Sequence, residues 1–504
     1  MQKKSFIMRF AHSVREAFRG FFSRRARAIE TTKNALLALL LLSLAAMSVL
    51  LILRTQRMTV NKPVDVDVDR LLTLKESDRQ TIQSYSAERV SPEFFAYGDG
   101  STQKALFGPK SLMSGALTVI SDALTSLFGA SAAVSEVEGA AGEELWLSCL
   151  DAEKFVYLKF RSPLPAPVLR MFIDGSLYTD PSNKARGEIY YLSDMFILPA
   201  SESQDGRCSV RGVARSGSGR IIRYDCPEPA LDFDMLSTYG ANAEFVGFKF
   251  AHEDNPLGLE LDPCCPIITA EMPVKCISVS TSAAPVTAVH TDELLSLFGY
   301  NPNRFNRYND PETRSDIYIE TWGTLRFGTD KIQFSATGES GGIRISDYLP
   351  YGYSAADYNI YELFNCSENF IAMLTALDSR LTGGDASPVL DAVYTEDDSV
   401  VIRYRFCFDN ISLDSERAVE FTFSGDRIKK IRLDCLIVSN LLTRQKTFTM
   451  PVAFLGVEDS ALDDSGGSGA FVRLIYAVGE EEGVLVPASW ALSSGKDELT
   501  EAGN

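Results

Sequence analysis

A chain of 504 residues is too long for one ordinary hydrophobic core, so two or three folded units are expected. A hydrophobic share of 45% with 10% aromatics excludes a disordered polymer. The formal net charge of −18 argues against a nucleic-acid partner, because phosphates would be repelled.

Residues 1–34 form a short basic segment, with nine Lys/Arg against Glu16 and Glu30 for a net of +7. Phe6, Phe10, Val14, Phe18 and Phe21 recur in it at helical spacing with arginines between, a pattern suited to a helix in the inner-leaflet interface or to a plain basic tail. Ala35 to Leu53 follows, nineteen residues without a charge and just long enough to cross about 30 Å of hydrocarbon as one helix. The whole chain carries −18, so everything after this run carries −25. Basic residues inside and an acidic bulk outside predict an uncleaved signal anchor, N-terminus cytoplasmic and the rest exported. A cleaved signal peptide fits less well: Arg54 and Arg57 follow the run directly, and the small-x-small sites lie within it. Ala38, Ala45, Ala46 and Ser48 are small enough to let another helix approach closely, and Ala38 and Ala45, seven apart, lie on nearly one face. The same residues also fit a plain leucine-rich anchor.

Beyond the span, residues 54–90 read as a polar stalk. Three exterior units are expected, 91–235, 236–350 and 351–492, followed by a disordered tail over 493–504. In the first, Leu112, Ala116, Leu117, Ile120, Ala123, Leu124 and Leu127 predict an amphipathic helix over Ser111–Phe128. Strands are expected near Lys154–Phe160 and Glu188–Leu198, and a hairpin over Cys208–Ala214 and Arg220–Tyr224 around Ser216-Gly217-Ser218-Gly219. In the second unit a short helix, Asp292–Phe298, ends at Gly299. Three strands then follow, Asp316–Glu320, Thr324–Phe327 and Lys331–Ser335. The third repeats this order, with a helix around Asn369–Leu381 and strands at Ser399–Phe408, Arg417–Phe423, Arg427–Leu436 and Phe471–Val478. Helices beside antiparallel meanders make the expected fold class α+β.

Nine cysteines, Cys149, Cys208, Cys226, Cys264, Cys265, Cys276, Cys366, Cys407 and Cys435, are odd in number and include no C-x-x-C pair. Several sit inside apolar runs, so free buried thiols in a poorly oxidising setting are expected. One disulfide, Cys208–Cys226 across the hairpin, stays open.

Catalytic motifs are present only in fragments. Gly338-Glu339-Ser340-Gly341-Gly342 matches the nucleophile elbow of hydrolases, but no histidine follows His290, and a glycine-rich turn is the simpler reading. Ser101-Thr102-Gln103-Lys104 matches the S-x-x-K of penicillin-binding proteins, and Ser367-Glu368-Asn369 loosely echoes their second motif, yet no K-T-G exists. Asp65, Asp67, Asp69 and Glu76 keep calcium-loop spacing, with Arg70 where the loop needs glycine. His252 and His290 have no second ligand at motif spacing, so no catalytic, metal or cofactor residue is expected.

Leu294-Leu295-Ser296-Leu297-Phe298-Gly299-Tyr300-Asn301-Pro302, Tyr308, Ile317-Tyr318-Ile319-Glu320, Gly323-Thr324-Leu325-Arg326-Phe327 and the closing Val486-Pro487-Ala488-Ser489-Trp490 resemble the YycH/YycI-like family. The sharp matches fall within residues 291–350 and the C-terminus. The resemblance implies a membrane-anchored, non-enzymatic regulator of a bacterial two-component system that controls cell-wall metabolism. Its implied partners are the membrane, a sensor histidine kinase and a homologous regulatory protein. An exterior ligand-binding sensor or envelope scaffold is the alternative, and a penicillin-binding-type wall enzyme the third.

Overall fold

The computed structural model describes residues 89–493 apart from 109, 130–131, 167, 170–189, 203–206, 242–243, 281–289, 303–306, 350–357, 359, 397, 416–417, 448, 454–469 and 479–484. All of these belong to one compact unit, Thr73–Asn504. The span with Ala38, Ala45, Ala46 and Ser48, the Asp65–Glu76 pattern, residues 54–88 of the stalk and the tail beyond 493 lie outside the described residues.

The first sheet has eight strands: β1 (Phe94–Asp99), β2 (Gln103–Leu106), β3 (Ala133–Val137), β4 (Lys154–Pro165), β5 (Tyr191–Glu202), β6 (Cys208–Ser216), β7 (Ile221–Leu231) and β8 (Val246–Gly247). They lie in the order β3-β7-β6-β5-β4-β1-β2-β8. The β6–β7 hairpin turns where Gly219 takes φ +80°, a conformation glycine adopts without strain. The expected helix over Ser111–Phe128 is two, α1 (Lys110–Val119) and α2 (Ser121–Leu127), separated at Ile120, which sits at φ −100°, ψ 8°. Two further helices, α3 (Gly139–Leu150) and α4 (Phe233–Ala241), complete this half. Its centre is aromatic: Tyr157 and Phe196 lie 4.6 Å apart between centroids, Phe155 and Phe250 5.5 Å. Each such ring contributes roughly 2–3 kcal/mol by leaving water.

A short pair, β9 (Lys249–Phe250) and β10 (Pro266–Ile267), leads into the second sheet. Here β11 (Pro273–Ser280) and α5 (Thr291–Leu297) precede the meander β12 (Arg307–Asp310), β13 (Ser315–Glu320), β14 (Gly323–Phe327) and β15 (Lys331–Ala336), and β16 (Ile343–Arg344). After α6 (Ile360–Leu377) come β17 (Ser387–Glu396), β18 (Ser399–Phe408), β19 (Ile411–Leu413), β20 (Val419–Ser424), β21 (Arg427–Asp434) and β22 (Ile437–Lys446). A short α7 (Met450–Ala453) and the strands β23 (Phe471–Tyr476) and β24 (Leu485–Ser493) close the chain. The path runs β12-β13-β14-β15-β21-β20-β18-β19-β23-β24-β11-β22, with β16 on β21 and β17 on β18. The ladder joining β15 to β21 carries one continuous sheet across position 350, so the segments 236–350 and 351–492 share it. Residues 246–247 pair with the first sheet through β2.

Helices α5 and α6 cover the same face of this sheet. Phe298, just past α5, meets Phe370 of α6 at 5.2 Å, and Phe370 meets Phe421 of β20 at 5.5 Å. The α6 helix begins nine residues earlier than the expected Asn369. Its first turns carry Cys366, Ser367 and Glu368 into the interior, which breaks the apolar periodicity that marks a helix in sequence. The described body is a sheet-rich α+β fold. Among the described residues no helix is long and apolar enough to cross a membrane.

Candidate functional site at the seam between the sheets

The two sheets meet along a seam that is polar where cores are usually apolar. Strand β18 alternates buried and half-buried residues over Ile402–Phe406, ends fully buried at Cys407 and Phe408, and then reverses through Asp409 and Asn410, at φ +53° and +69°. Two consecutive left-handed residues make a turn that Asp and Asn tolerate better than other side chains. The turn drives Asn410 into the seam, where its amide nitrogen donates to the Pro92 carbonyl at 3.0 Å. Opposite it, the β4 ladder is irregular between Lys159 and Leu164, and Arg161 points inward from this break with 3% exposure. Arg161 donates to the Ser91 carbonyl at 2.6 Å, the Asn410 carbonyl at 2.7 Å, Asn410 Oδ1 at 2.8 Å and Ser412 Oγ at 3.2 Å.

Two more arginines tie the segment 89–93 into the second sheet. Arg473 of β23 faces Glu93 at 3.4 Å and donates to the Arg161 carbonyl at 3.0 Å. Arg89 pairs with Glu368 of α6 at 2.9 Å, both buried. Ser367 Oγ and the Tyr404 hydroxyl share a hydrogen bond of 2.7 Å beside this pair. The segment 89–93 is therefore held in the described body by a clamp of buried charge.

Next to the clamp lies a small cleft of about 50 Å³, open to solvent. Phe107, Met272, Val274, Ile411 and Leu474 line it, and Lys275 and Asp409 form an ion pair of 2.6 Å across it. Gly108 approaches the Asp409 carbonyl so closely that a Cβ would sit 2.4 Å from its oxygen; only glycine lets the loop close there. A smaller space of about 10 Å³ adjoins it around Glu93, Asn410 and Arg473.

Burial raises the Glu368 carboxyl to about 6, and Arg89 offsets this only in part. Between the ordinary value of 4.5 and about 6 the folded chain holds a proton that the unfolded chain has lost. This group therefore favours the fold fully below pH 4.5, and its contribution fades as pH rises through 6. The difference is about 2 kcal/mol. Glu368→Gln is expected to flatten the stability profile by that amount between pH 4.5 and 6.5 in urea unfolding, and an unchanged slope would contradict the assignment.

The structure does not bring the motif fragments together. Ser101 donates to Asp99 at 2.8 Å, in an exposed turn rather than at a helix start. Burial works against the Asp99 anion, but hydrogen bonds from Ser101, Thr102 and Ser237 outweigh it and hold the carboxyl well below its ordinary range. Lys104 reaches the Gly240 carbonyl at 3.5 Å, and Ser367 is inside α6. Gly338–Gly342 is the turn from β15 to β16, held by Lys429, which donates to the Gly341 carbonyl at 2.9 Å. His252 lies 3.7 Å from Asp151 and His290 3.5 Å from Asp378. All nine cysteines are free and buried, as the sequence leads one to expect. In the β6–β7 register Cys208 faces Leu231 and Cys226 faces Val210, so the two thiols are not cross-strand partners. Burial pushes the Cys149 and Cys265 thiols up to about 12, which suits packing groups rather than nucleophiles.

Arg161, Asn410, Arg473 and Glu93 are the residues that sequence reading passes over. Asp409-Asn410 directly after an alternating strand is a turn signal that marks where Asn410 reverses the chain. Nothing local marks Arg161. No family model, curated protein or solved structure matches the chain.

Proposed function

We propose that this chain is a non-enzymatic, single-pass regulator of the cell membrane with an α+β exterior, acting on a sensor histidine kinase linked to cell-wall homeostasis. The membrane part of the reading is carried by one observation, the uncharged run Ala35–Leu53 between a segment of net +7 and a remainder of −25, and the kinase part rests on the resemblance of residues 291–350 to the YycH/YycI-like family. The described body supports it. Its buried charged groups face fixed partners, and its thiols are packed away. The path of influence in this proposal is lateral packing of the span on the kinase through Ala38, Ala45, Ala46 and Ser48.

The kinase is expected to co-purify with the full chain. Recovery should fall at least tenfold when those four positions are all leucine, while the protein stays in the membrane fraction. Failure to recover any kinase with the unaltered chain would sink the proposal.

A further inference from the structure

The residues Arg89-Val90-Ser91-Pro92-Glu93 lie across the seam and touch elements of both sheets. Arg89 Nε meets Glu368 of α6 at 2.9 Å, and its Nη1 donates to the Pro388 carbonyl of β17 at 3.4 Å. Ser91 Oγ donates to Asn410 Oδ1 at 2.6 Å, while the Ser91 and Pro92 carbonyls accept from Arg161 and from the Asn410 amide. At the far end Glu93 N–H donates to the Lys159 carbonyl of β4 at 2.8 Å, and its carboxylate faces Arg473 of β23.

The kind of contact sets this segment apart. Charged pairs hold its two ends, and buried pairs return little net stability once their desolvation is counted. Hydrogen bonds that water can replace hold its middle. Only Val90 and Pro92 bring apolar side chains. Apolar packing starts at the next residue, because Phe94 and Phe95 are fully buried and open the β1–β4 ladder. Lifting residues 89–93 uncovers Glu368, Asn410, Arg161 and Arg473, all of which water solvates; lifting β1 would strip aromatic rings. A segment with few apolar contacts opens at a lower free energy than the core beneath it.

We propose that Arg89–Glu93 is a releasable strap, which lifts off the seam as one unit about a hinge at β1 while both sheets stay folded. In sequence it stands between the run Ala35–Leu53 and β1. Within the regulator reading it is the joint through which the state of the exterior body reaches the span. That use rests on the membrane reading; the opening itself does not.

Val90 is 1% exposed and all nine native thiols are buried, so Val90→Cys supplies a thiol that reacts only when the strap lifts. In membranes carrying the full-length variant, at one fixed pH, N-ethylmaleimide is expected to label it at least tenfold faster than any native cysteine. Arg89→Glu added to that chain sets like charges together at Glu368 and should raise the rate at least threefold more, with the native thiols still protected. Equal rates at the introduced thiol and the native nine would mean that the strap opens only with the whole body, and would overturn the proposal. So would an Arg89→Glu rate that is unchanged, or a rise that the native thiols share. The kinase plays no part in this labelling, so its outcome is separate from recovery of the kinase.

Discussion

Arg161→Met is expected to lower the stability of the full chain by about 4 kcal/mol, read as a shift of the urea midpoint at constant slope. The methionine keeps most of the side-chain volume but leaves the Ser91 and Asn410 carbonyls facing an apolar group, while Asn410 Oδ1 keeps only the Ser91 hydroxyl at 2.6 Å. Two carbonyls without a donor in a closed seam cost far more than an exposed hydrogen bond, and their losses do not simply add. A loss under 1 kcal/mol would mean that water reaches the seam and satisfies them.

The second large effect belongs to Asp194, which is fully buried in β5. Arg215 Nε donates to its Oδ1 at 3.0 Å, and Lys159 lies 3.5 Å from its Oδ2. Arg215 also pairs with Asp262 at 2.8 Å and lies over the Trp146 ring at 4.9 Å. Asp194→Asn strips the main counter-charge from two cations and is expected to destabilise by about 3–5 kcal/mol. Burial raises this carboxyl, but Arg215 and Lys159 outweigh it and hold it below its ordinary value of 3.8. The anion thus contributes its stability above pH 3.8 and loses it as pH falls towards the lowered folded value. The variant should lack that acid-sensitive part, measured as unfolding free energy from pH 5 to pH 2. Equal acid sensitivity in both proteins would refute the assignment.

Local chemistry made much of the secondary structure legible. Glycine and serine at 216–219 announced the β6–β7 turn. Alternation in Ile402, Tyr404, Phe406 and Phe408 announced β18, and the expected Ser399–Phe408 agrees with the strand in both bounds. The meander Ser315–Ala336 was readable because its turns are short and its strands consecutive. The assembly was not readable. Strand β11 pairs with β22 and β24, more than 150 residues away, and such pairings leave no local mark. The seam was hidden for the same reason: Arg161 and Ser412 are unremarkable until the fold brings them within 3.2 Å. The α6 helix misled at its start because buried polar side chains imitate a solvent-facing stretch.

The position of β11 also sets a timetable. It lies between β22 and β24, yet it is made long before either, and β24 is the last strand of the described chain. About 200 residues separate β11 from β24, which is on the order of 10–40 s of translation. Until β22 is made the nascent β11 has both edges open, and until β24 is made one edge stays open, a template for pairing with the wrong neighbour. The clamp closes late as well, because Glu93 waits for Arg473. A chain cut before β24 would therefore keep that edge of the Pro273–Ser280 strand unpaired.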